Sequence, residues 1–387
     1  MTVHNDSAGG RSARLEALTR VLRDTVEPAA AEVDQKHLFP QESVKALADA
    51  GLGCLPLPTE FGGQDARTSE YADTVARVAA ACGSTSTVYM TQLHAAHPIH
   101  LQGNAEQHRR WLPAISSAEA IGAIALTEPD AGSDVAAMRT VARRDGGDYV
   151  VNGSKIFISN GDLADVVVLF ASTDLSLGKD GITAFLIDTK AVSGFEAGKP
   201  MQKLGQRGAS TVELSFDNCR IPAEARLGDE GQGYPLLLKS VQKSRISAAA
   251  QGVGFATGAF DATVQYCVER DLLSARTRAA QDLQFELAAL RAEIFAARAM
   301  LDRVSDIVDD GEGDPTFEVS MAKLHCTALG VRVANRCVEL LGEDGDRVDI
   351  GVERRLRDAK ITEIYDGTNQ VQSMLVARNI RIAAQGR

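Results

Sequence analysis

The chain has 387 residues, enough for two or three domains with cores of their own. It is 44 % hydrophobic and 24 % charged, the balance of an ordinary globular protein. Its formal net charge of −11 argues against non-specific binding to nucleic acid or to an anionic membrane surface. No apolar run is long enough to span a bilayer, and the opening Met-Thr-Val-His-Asn-Asp-Ser lacks the basic and apolar regions of a signal peptide. Cys54, Cys82, Cys219, Cys267, Cys326 and Cys337 are scattered, with no Cys-x-x-Cys pair. This points to reduced thiols and a cytoplasmic location rather than to disulfides or zinc.

Residues 1–10 are polar and expected to be disordered. Helical periodicity starts near Arg11, with Leu15, Leu18, Val21, Leu22 and Val26 on one stripe. Pro28 marks either a break or a first helical turn. Short helices follow at 43–50, 69–81 and 106–113, separated by the proline- and glycine-rich loop 55–63. The 87–100 stretch is apolar and carries His94, His97 and His100. No carboxylate or cysteine accompanies them, so helix-packed or cavity-lining histidines are expected rather than a metal site.

From about Ile121 the pattern becomes strand-like: 124–126, 149–151, 156–158, 166–170, 185–187 and 212–216, with Gly146-Gly147, Asn152-Gly153 and Asn160-Gly161 as turn signals. The spacing predicts a small antiparallel β-barrel or sandwich of about 100 residues. Within it, Asn152 to Gly161 reads as a hairpin. After Gly233 the chain reads as helical to the end, over 234–269, 280–309, 317–341 and two helices beyond. The fold class is α+β, mainly α: an N-terminal helical domain at 11–120, a central β domain at 121–228 and a C-terminal helical bundle at 229–387. Gly-x-Gly-x-x-Gly, Gly-x-Ser-x-Gly and the P-loop are all absent, which leaves a Rossmann, hydrolase or nucleotide-triphosphate site without support.

Near the C-terminus Arg357-Asp358-Ala359-Lys360-Ile361 is followed by Ile364-Tyr365-Asp366-Gly367-Thr368-Asn369-Gln370. A helix ends here, Gly367 breaks it, and another begins. Thr368 or Asp366 can cap the second helix. A carboxylate beside a glycine that admits a ligand can equally serve as a base.

This string resembles the C-terminal signature of the acyl-CoA dehydrogenase family, R-D-A-K-I…I-Y-E-G-T-N-Q. There the carboxylate before Gly-Thr removes the substrate α proton. The present chain has Asp366 where glutamate is usual. Two further motifs share the resemblance. Leu126-Thr127-Glu128-Pro129-Asp130-Ala131-Gly132-Ser133-Asp134 is similar to T-E-P-x-A-G-S-D, which contacts flavin and substrate. Asn152-Gly153-Ser154-Lys155-Ile156-Phe157-Ile158-Ser159-Asn160-Gly161 is similar to N-G-x-K-x-W-I-T-N-G, with Phe157 for Trp and Ser159 for Thr.

The resemblance implies FAD, a homodimer or homotetramer, an acyl-CoA or acyl-carrier-protein substrate, and an electron-transfer flavoprotein or other acceptor. It assigns Leu126, Thr127, Ser133, Phe157, Ile158, Ser159, Thr368 and Gln370 to the cofactor. Ser133, Leu93, Arg245, Tyr365 and Gly367 fall to the substrate, and Asp366 is the base. One branch of the family carries its base just before the arginine matched by Arg245; Ser244 stands there.

Two regions depart from the pattern. The family's R-x-x-F-G is replaced by a longer run in which Arg270, Arg276 or Arg278, with Gln281, would reach a neighbouring subunit's cofactor. Q-x-x-G-G becomes Glu339-Leu340-Leu341-Gly342-Glu343, which adds negative charge near a pyrophosphate. Aspartate is a methylene shorter than glutamate, so its carboxylate sits about 1–1.5 Å further back. A branched, cyclic or carrier-bound acyl group fits that change. Two other readings stand beside this one: a flavin oxidase of the same fold, similar to nitroalkane oxidases, and a catalytically silent family member that acts as a binding protein.

Overall fold

The computed structural model describes residues 8–274, 277–311 and 313–385. The helix α1 (Ala8–Val21) begins inside the stretch expected to be disordered. Pro28 has no N–H to return to the ladder. The turn before it widens into a π-helical segment, Leu22–Val26, and Pro28 then stands in the first turn of α2 (Glu27–Gln35). The N-terminal helices continue as α3 (Gln41–Asp49), α4 (Thr68–Ala81), α5 (Gly83–Gln102) and α6 (Ala105–Ser116). Asn104 starts α6 with a capping box: its side chain accepts from the Gln107 N–H while Gln107 returns to the Asn104 N–H.

The strands are β1 (Gly122–Ala125), β2 (Val141–Asp145), β3 (Asp148–Ser159), β4 (Val166–Ser172), β5 (Ile182–Asp188), β6 (Phe195–Ala197), β7 (Thr211–Ile221) and β8 (Arg226–Leu227). They form one sheet in the order β6-β7-β3-β2-β4-β5-β8, with β1 on β4. This corrects the antiparallel arrangement expected of the barrel or sandwich. The sheet is mixed and not closed, because β1 enters from α6 and lies parallel to β4, Gly122 opposite Val166. The hairpin expected at 152–161 is also corrected. Asn152-Gly153 sits inside β3, where Gly153 (φ +147°) makes a slip in register against β7. A Cβ there would stand 2.5 Å from Thr140 Oγ1. The turn between β2 and β3 is Gly146-Gly147 instead.

β4 is buried on both faces, and period-2 alternation explains how. Val166, Val168 and Phe170 belong to the helical core, while Val167, Leu169 and Ala171 belong to the core of the sheet. The strand is the partition between the two.

The C-terminal helices are α7 (Gly233–Glu269), α8 (Arg278–Asp310), α9 (Thr316–Leu340), α10 (Val352–Ala359) with a 3₁₀ turn at Lys360–Glu363, and α11 (Asn369–Gln385). α7 is the central post. A Cβ on Gly254 would lie 2.2 Å from the Ala76 carbonyl of α4, and one on Gly252 would lie 2.4 Å from the Cys326 carbonyl of α9. Only glycine lets the backbones approach so closely. That contact sets the positions of Arg245 and Ser247 one to two turns upstream.

Candidate active site

Two of the sequence motifs are joined by a buried ion pair. Ile156 donates its N–H to the Thr127 carbonyl at 2.8 Å. Lys155, fully buried, donates to the Leu126 carbonyl at 3.1 Å and to Glu128 at 2.8 Å. Glu128 also accepts from the Thr140 N–H at 3.0 Å and the Arg139 N–H at 2.6 Å. Burial pushes Lys155 down to about 8 against the pull of Glu128. Burial would raise Glu128, but the Lys155 charge and the hydrogen bonds outweigh it and hold the carboxyl below its usual range.

Beyond this lock β3 slips register between Lys155 and Ile158, and Phe157 takes a left-handed backbone (φ +61°), the residue being 63 % exposed. A large apolar ring in a strained conformation is an unfavourable surface feature unless something flat covers it. Ser133 is exposed and Thr127 and Ser159 are half-buried, so their hydroxyls remain available beside that ring's strand and loop. The set suits a planar ring rich in hydrogen-bonding atoms. Ile158 is the exception among the expected residues. Its side chain packs in the sheet core, so only its backbone can meet a ligand.

The 204–210 loop carries the connection to the third motif. Asn160 donates its N–H to the Ser210 carbonyl at 3.0 Å. Gln206 donates its side-chain amide to the Asp358 carbonyl at 3.1 Å and its N–H to the Asp358 carboxylate. Thr87 of α5 donates to Gln206 at 2.6 Å and accepts from Gln251 of α7 at 3.0 Å. Burial raises Asp358 to about 6. Its neighbour Arg357 pairs with Asp34 of α2 at 2.6 Å. One loop thus ties the β region to α5, α7 and α10.

Asp366 lies at the end of this framework in a left-handed conformation (φ +53°), which short polar side chains tolerate better than long ones. It does not cap α11. Thr368 does, accepting the Val371 N–H at 3.3 Å. Asp366 Oδ2 is buried without a hydrogen-bond partner, and so are Arg245 Nε, the Tyr365 hydroxyl and Gln372 Oε1. Gln372 spends its amide nitrogen on the Gly367 carbonyl at 2.9 Å. A Cβ on Gly367 would come 3.7 Å from the Arg245 guanidinium, which places that cation against the Asp366-Gly367 turn. Burial lowers Arg245 while the Asp366 charge opposes the shift. Lys323 of α9 is pushed down to about 8 by burial, with Asp366 again opposing. It donates to Asn369 at 2.9 Å.

Four orphaned polar atoms at one turn are uncommon in a folded interior. Here they are a carboxylate that can take a proton, an amide oxygen that can accept, and two donors, Arg245 Nε and the Tyr365 hydroxyl, that can hold a carbonyl. Tyr71, His94 and Ser247 belong to the same neighbourhood, since the Asp366 charge acts on both Tyr71 and His94. Reasoning from sequence left His94 among three helix-packed or cavity-lining histidines and gave Tyr71 and Ser247 no role. It selected Leu93, which packs in the helical core, where the adjacent His94 reaches Ser247. The signal that could have found them is a histidine on an otherwise apolar helix face.

Other expected residues sit elsewhere. Gln370 is exposed on the first turn of α11. Arg270 closes α7 and stacks on the Tyr266 ring, 3.7 Å from its centroid. Gly342 follows α9, Gln281 is exposed near the start of α8, and Glu339 pairs with Arg336 at 2.8 Å. The added charge of Glu339 is therefore shared with a cation. Arg276 lies outside the described residues. Along α7 about 37 Å of helix separates Arg245 from Arg270, so the two cannot serve one small site in one chain. Among the described residues no cluster of three or more His, Cys, Asp or Glu is arranged for a metal, and no helix is long and apolar enough to cross a membrane.

Three family descriptions match the chain: "Acyl-CoA dehydrogenase, N-terminal domain" over residues 12–119, "middle domain" over 123–219 and "C-terminal domain" over 231–381. The short-chain-specific acyl-CoA dehydrogenase of Clostridium acetobutylicum is 39 % identical, covering 92 % of this chain and 93 % of that one. The solved butyryl-CoA dehydrogenase of Megasphaera elsdenii is 30 % identical with a TM-score of 0.90, covering 97 % of this chain and 99 % of that one. A glutaryl-CoA dehydrogenase from Mycobacterium smegmatis, solved in complex with FADH2, is 26 % identical with a TM-score of 0.87, covering 97 % and 95 %. This chain belongs to the acyl-CoA dehydrogenase family and is a FAD-dependent oxidoreductase.

Proposed function

We propose that the enzyme desaturates an acyl thioester, with Asp366 as the base that takes the α proton. The observation that carries this is the buried Asp366 carboxylate oxygen with no protein partner, beside a glycine and a half-buried arginine. An interior carboxylate is stable only if something meets it. A C–H acid whose anion is held by nearby donors is a suitable guest. Arg245 stands against the same turn and sets a cation beside the carboxylate.

FAD supplies the acceptor for the β hydride when it is bound. Phe157, Thr127, Ser133 and Ser159 would hold its ring from the β region, and Thr368 its neighbourhood on the α11 side. Asp366, Arg245, Tyr365 and the Gly367 turn would orient the thioester so that the α proton faces the carboxylate. Substrate and cofactor together would exclude water from this turn, which raises the basicity of an aspartate. The shorter side chain suits a branched or otherwise unusual acyl group of a biosynthetic pathway, carried on CoA or on an acyl-carrier protein. Electrons would leave to an electron-transfer flavoprotein or another soluble acceptor.

The distance between Arg245 and Arg270 supports an assembly in which one chain's Arg270, Gln281 and Gly342 complete the cofactor site of another. Exposed Phe285 and Phe295 on α8 and Met374 and Ile380 on α11 offer apolar surface for it. All six cysteines are free and buried, in keeping with a reducing compartment.

The test is an anaerobic titration of the FAD-loaded protein with acyl thioesters, some on CoA and some on carrier protein, followed at the flavin's visible band. Bleaching by one of them supports the reading and identifies carrier and acyl shape together. Flavin that stays oxidised with every thioester, but is reduced by nitroalkanes and gives hydrogen peroxide in air, would replace it with an oxidase.

A further inference from the structure

Three side chains from three helices meet within reach of the Asp366 charge: Tyr71 of α4, His94 of α5 and Ser247 of α7. Ser247 Oγ lies 2.9 Å from the Tyr71 hydroxyl, 3.0 Å from His94 Nε2 and 3.1 Å from the Lys243 carbonyl. A serine hydroxyl has one proton and two acceptor sites. If the proton goes to the Lys243 carbonyl, Tyr71 and His94 both donate to Ser247, and His94 Nδ1 is left as an acceptor. If the proton goes to Nε2, His94 Nδ1 carries a hydrogen of its own. Either way Nδ1 is unspent, since His94 has no other hydrogen bond among the described residues. Burial keeps the ring neutral in spite of the Asp366 charge.

The neighbourhood already holds the unpartnered Asp366 Oδ2, Tyr365 hydroxyl and Arg245 Nε. A thioester carbonyl can satisfy the donors nearest the reacting carbons. It cannot also satisfy a histidine presented from α5 by a separate hydrogen-bonded support. A plain alkyl chain against His94 would leave that nitrogen dry and unpaired. A second carboxylate would be repelled by Asp366, whose charge acts on His94, and an ammonium has no lone pair to accept from an Nδ1–H tautomer. A neutral hydroxyl both donates and accepts, so it satisfies His94 in either tautomer.

We propose that His94, held by Ser247 and Tyr71, is a specificity-determining residue that hydrogen-bonds a neutral hydroxyl on the acyl chain, so that the substrates are hydroxylated acyl thioesters. The proposal rests on the dehydrogenase reading above. It makes the Tyr71–Ser247–His94 network a positioning device for one substrate group.

The test uses the FAD-loaded protein and pairs of CoA thioesters in which a hydroxyl replaces a methyl: 4-hydroxybutyryl against pentanoyl, and 4-hydroxypentanoyl against 4-methylpentanoyl. Flavin reduction is followed anaerobically. Binding of the matching 2-enoyl products is measured by calorimetry, a readout that needs no turnover. The hydroxylated member of at least one pair is expected to react and bind about tenfold or more better than its partner. His94→Leu should abolish or invert that ratio with flavin content and melting temperature retained. Ser247→Ala, which releases the ring without emptying the site, should narrow it, and it serves as the deciding variant if His94→Leu does not fold. Methyl partners that perform as well in both pairs, or a ratio that survives both substitutions, overturn the subsite and leave the dehydrogenase reading standing. Failure of every thioester, on CoA and on carrier protein alike, to bleach the flavin removes that reading and the subsite with it.

Discussion

Two buried polar regions of this protein have similar ingredients and opposite bookkeeping. At Glu128–Lys155 a carboxylate and an ammonium are both sealed inside, and the carboxylate accepts two backbone N–H groups besides the ammonium. At Asp366–Arg245 a carboxylate and a guanidinium stand near each other, yet one oxygen and one nitrogen have no partner. The first region is complete in itself, and its product is a fixed geometry for Thr127 and Phe157. The second is complete only when something else enters. Burial and charge alone do not distinguish a structural ion pair from a reactive one; hydrogen-bond satisfaction does.

Four experiments sharpen or break this contrast. Asp366→Asn carries the largest expected effect. The rate of flavin reduction by substrate should fall about 10²–10⁴-fold, the usual range for a lost general base. Flavin content should hold, and the melting temperature should fall only modestly, since Oδ2 makes no hydrogen bond and the loss is the attraction to Arg245 and Lys323. Unchanged reduction in a stopped-flow instrument would show that the base lies elsewhere.

Lys155→Met should do the reverse. It strands Glu128 in the interior, and urea denaturation should show a loss of about 3–5 kcal/mol. Adding Glu128→Gln should recover part, because it removes the stranded charge while the amide oxygen keeps one of the two backbone N–H groups, which meet different carboxylate oxygens. A single mutant as stable as the wild type would mean that the pair is not closed.

The third test uses pH. Burial raises Asp358 to about 6 in the folded protein, against 3.8 ordinarily. The folded state therefore holds a proton that the unfolded chain releases between those values. The contribution of Asp358 is present below about pH 4 and is lost as pH rises through about 6. Asp358→Asn keeps an acceptor for Gln206 but cannot titrate. Its stability relative to wild type should rise as the pH passes from 4 to 7, read as melting temperature. Parallel curves would mean that Asp358 titrates normally.

The smallest effect compares two tyrosines. Tyr71→Phe removes the hydroxyl that meets Ser247 at 2.9 Å and should cost about 1 kcal/mol. Tyr365→Phe removes a hydroxyl without a partner and should leave stability within about 0.5 kcal/mol. Equal losses from both would erase the distinction between the closed and the open regions.

Much of the fold was legible because its signals are local. The long α7 and α9 announce themselves by apolar and small residues at helical spacing, and β4 and β5 by short runs of valine, leucine and isoleucine. Asp366, Arg245 and Phe157 were recognisable from the strings around them. The topology of the sheet was not. Nothing in Gly122–Ala125 distinguishes a strand parallel to β4 from an antiparallel one, since both orientations ask for the same side chains. Asn152-Gly153 shows the same limit. The dipeptide permits a turn, but the close approach of Thr140 and pairing with β7 on both sides turn it into a bulge within a continuous strand.

Residue types and the strings around them announce which chemistry is available: a carboxylate before a glycine, an aromatic in the flavin motif and an arginine within a long helix. Only the tertiary structure decided which groups are spent. Thr368 takes the cap, Asp366 Oδ2 is left without a hydrogen bond, Lys155 closes on Glu128, and His94 rather than Leu93 meets Ser247 of α7. The reason is physical. Hydrogen-bond satisfaction is a property of contacts between residues far apart in the chain, and residue type sets only the capacity to form them.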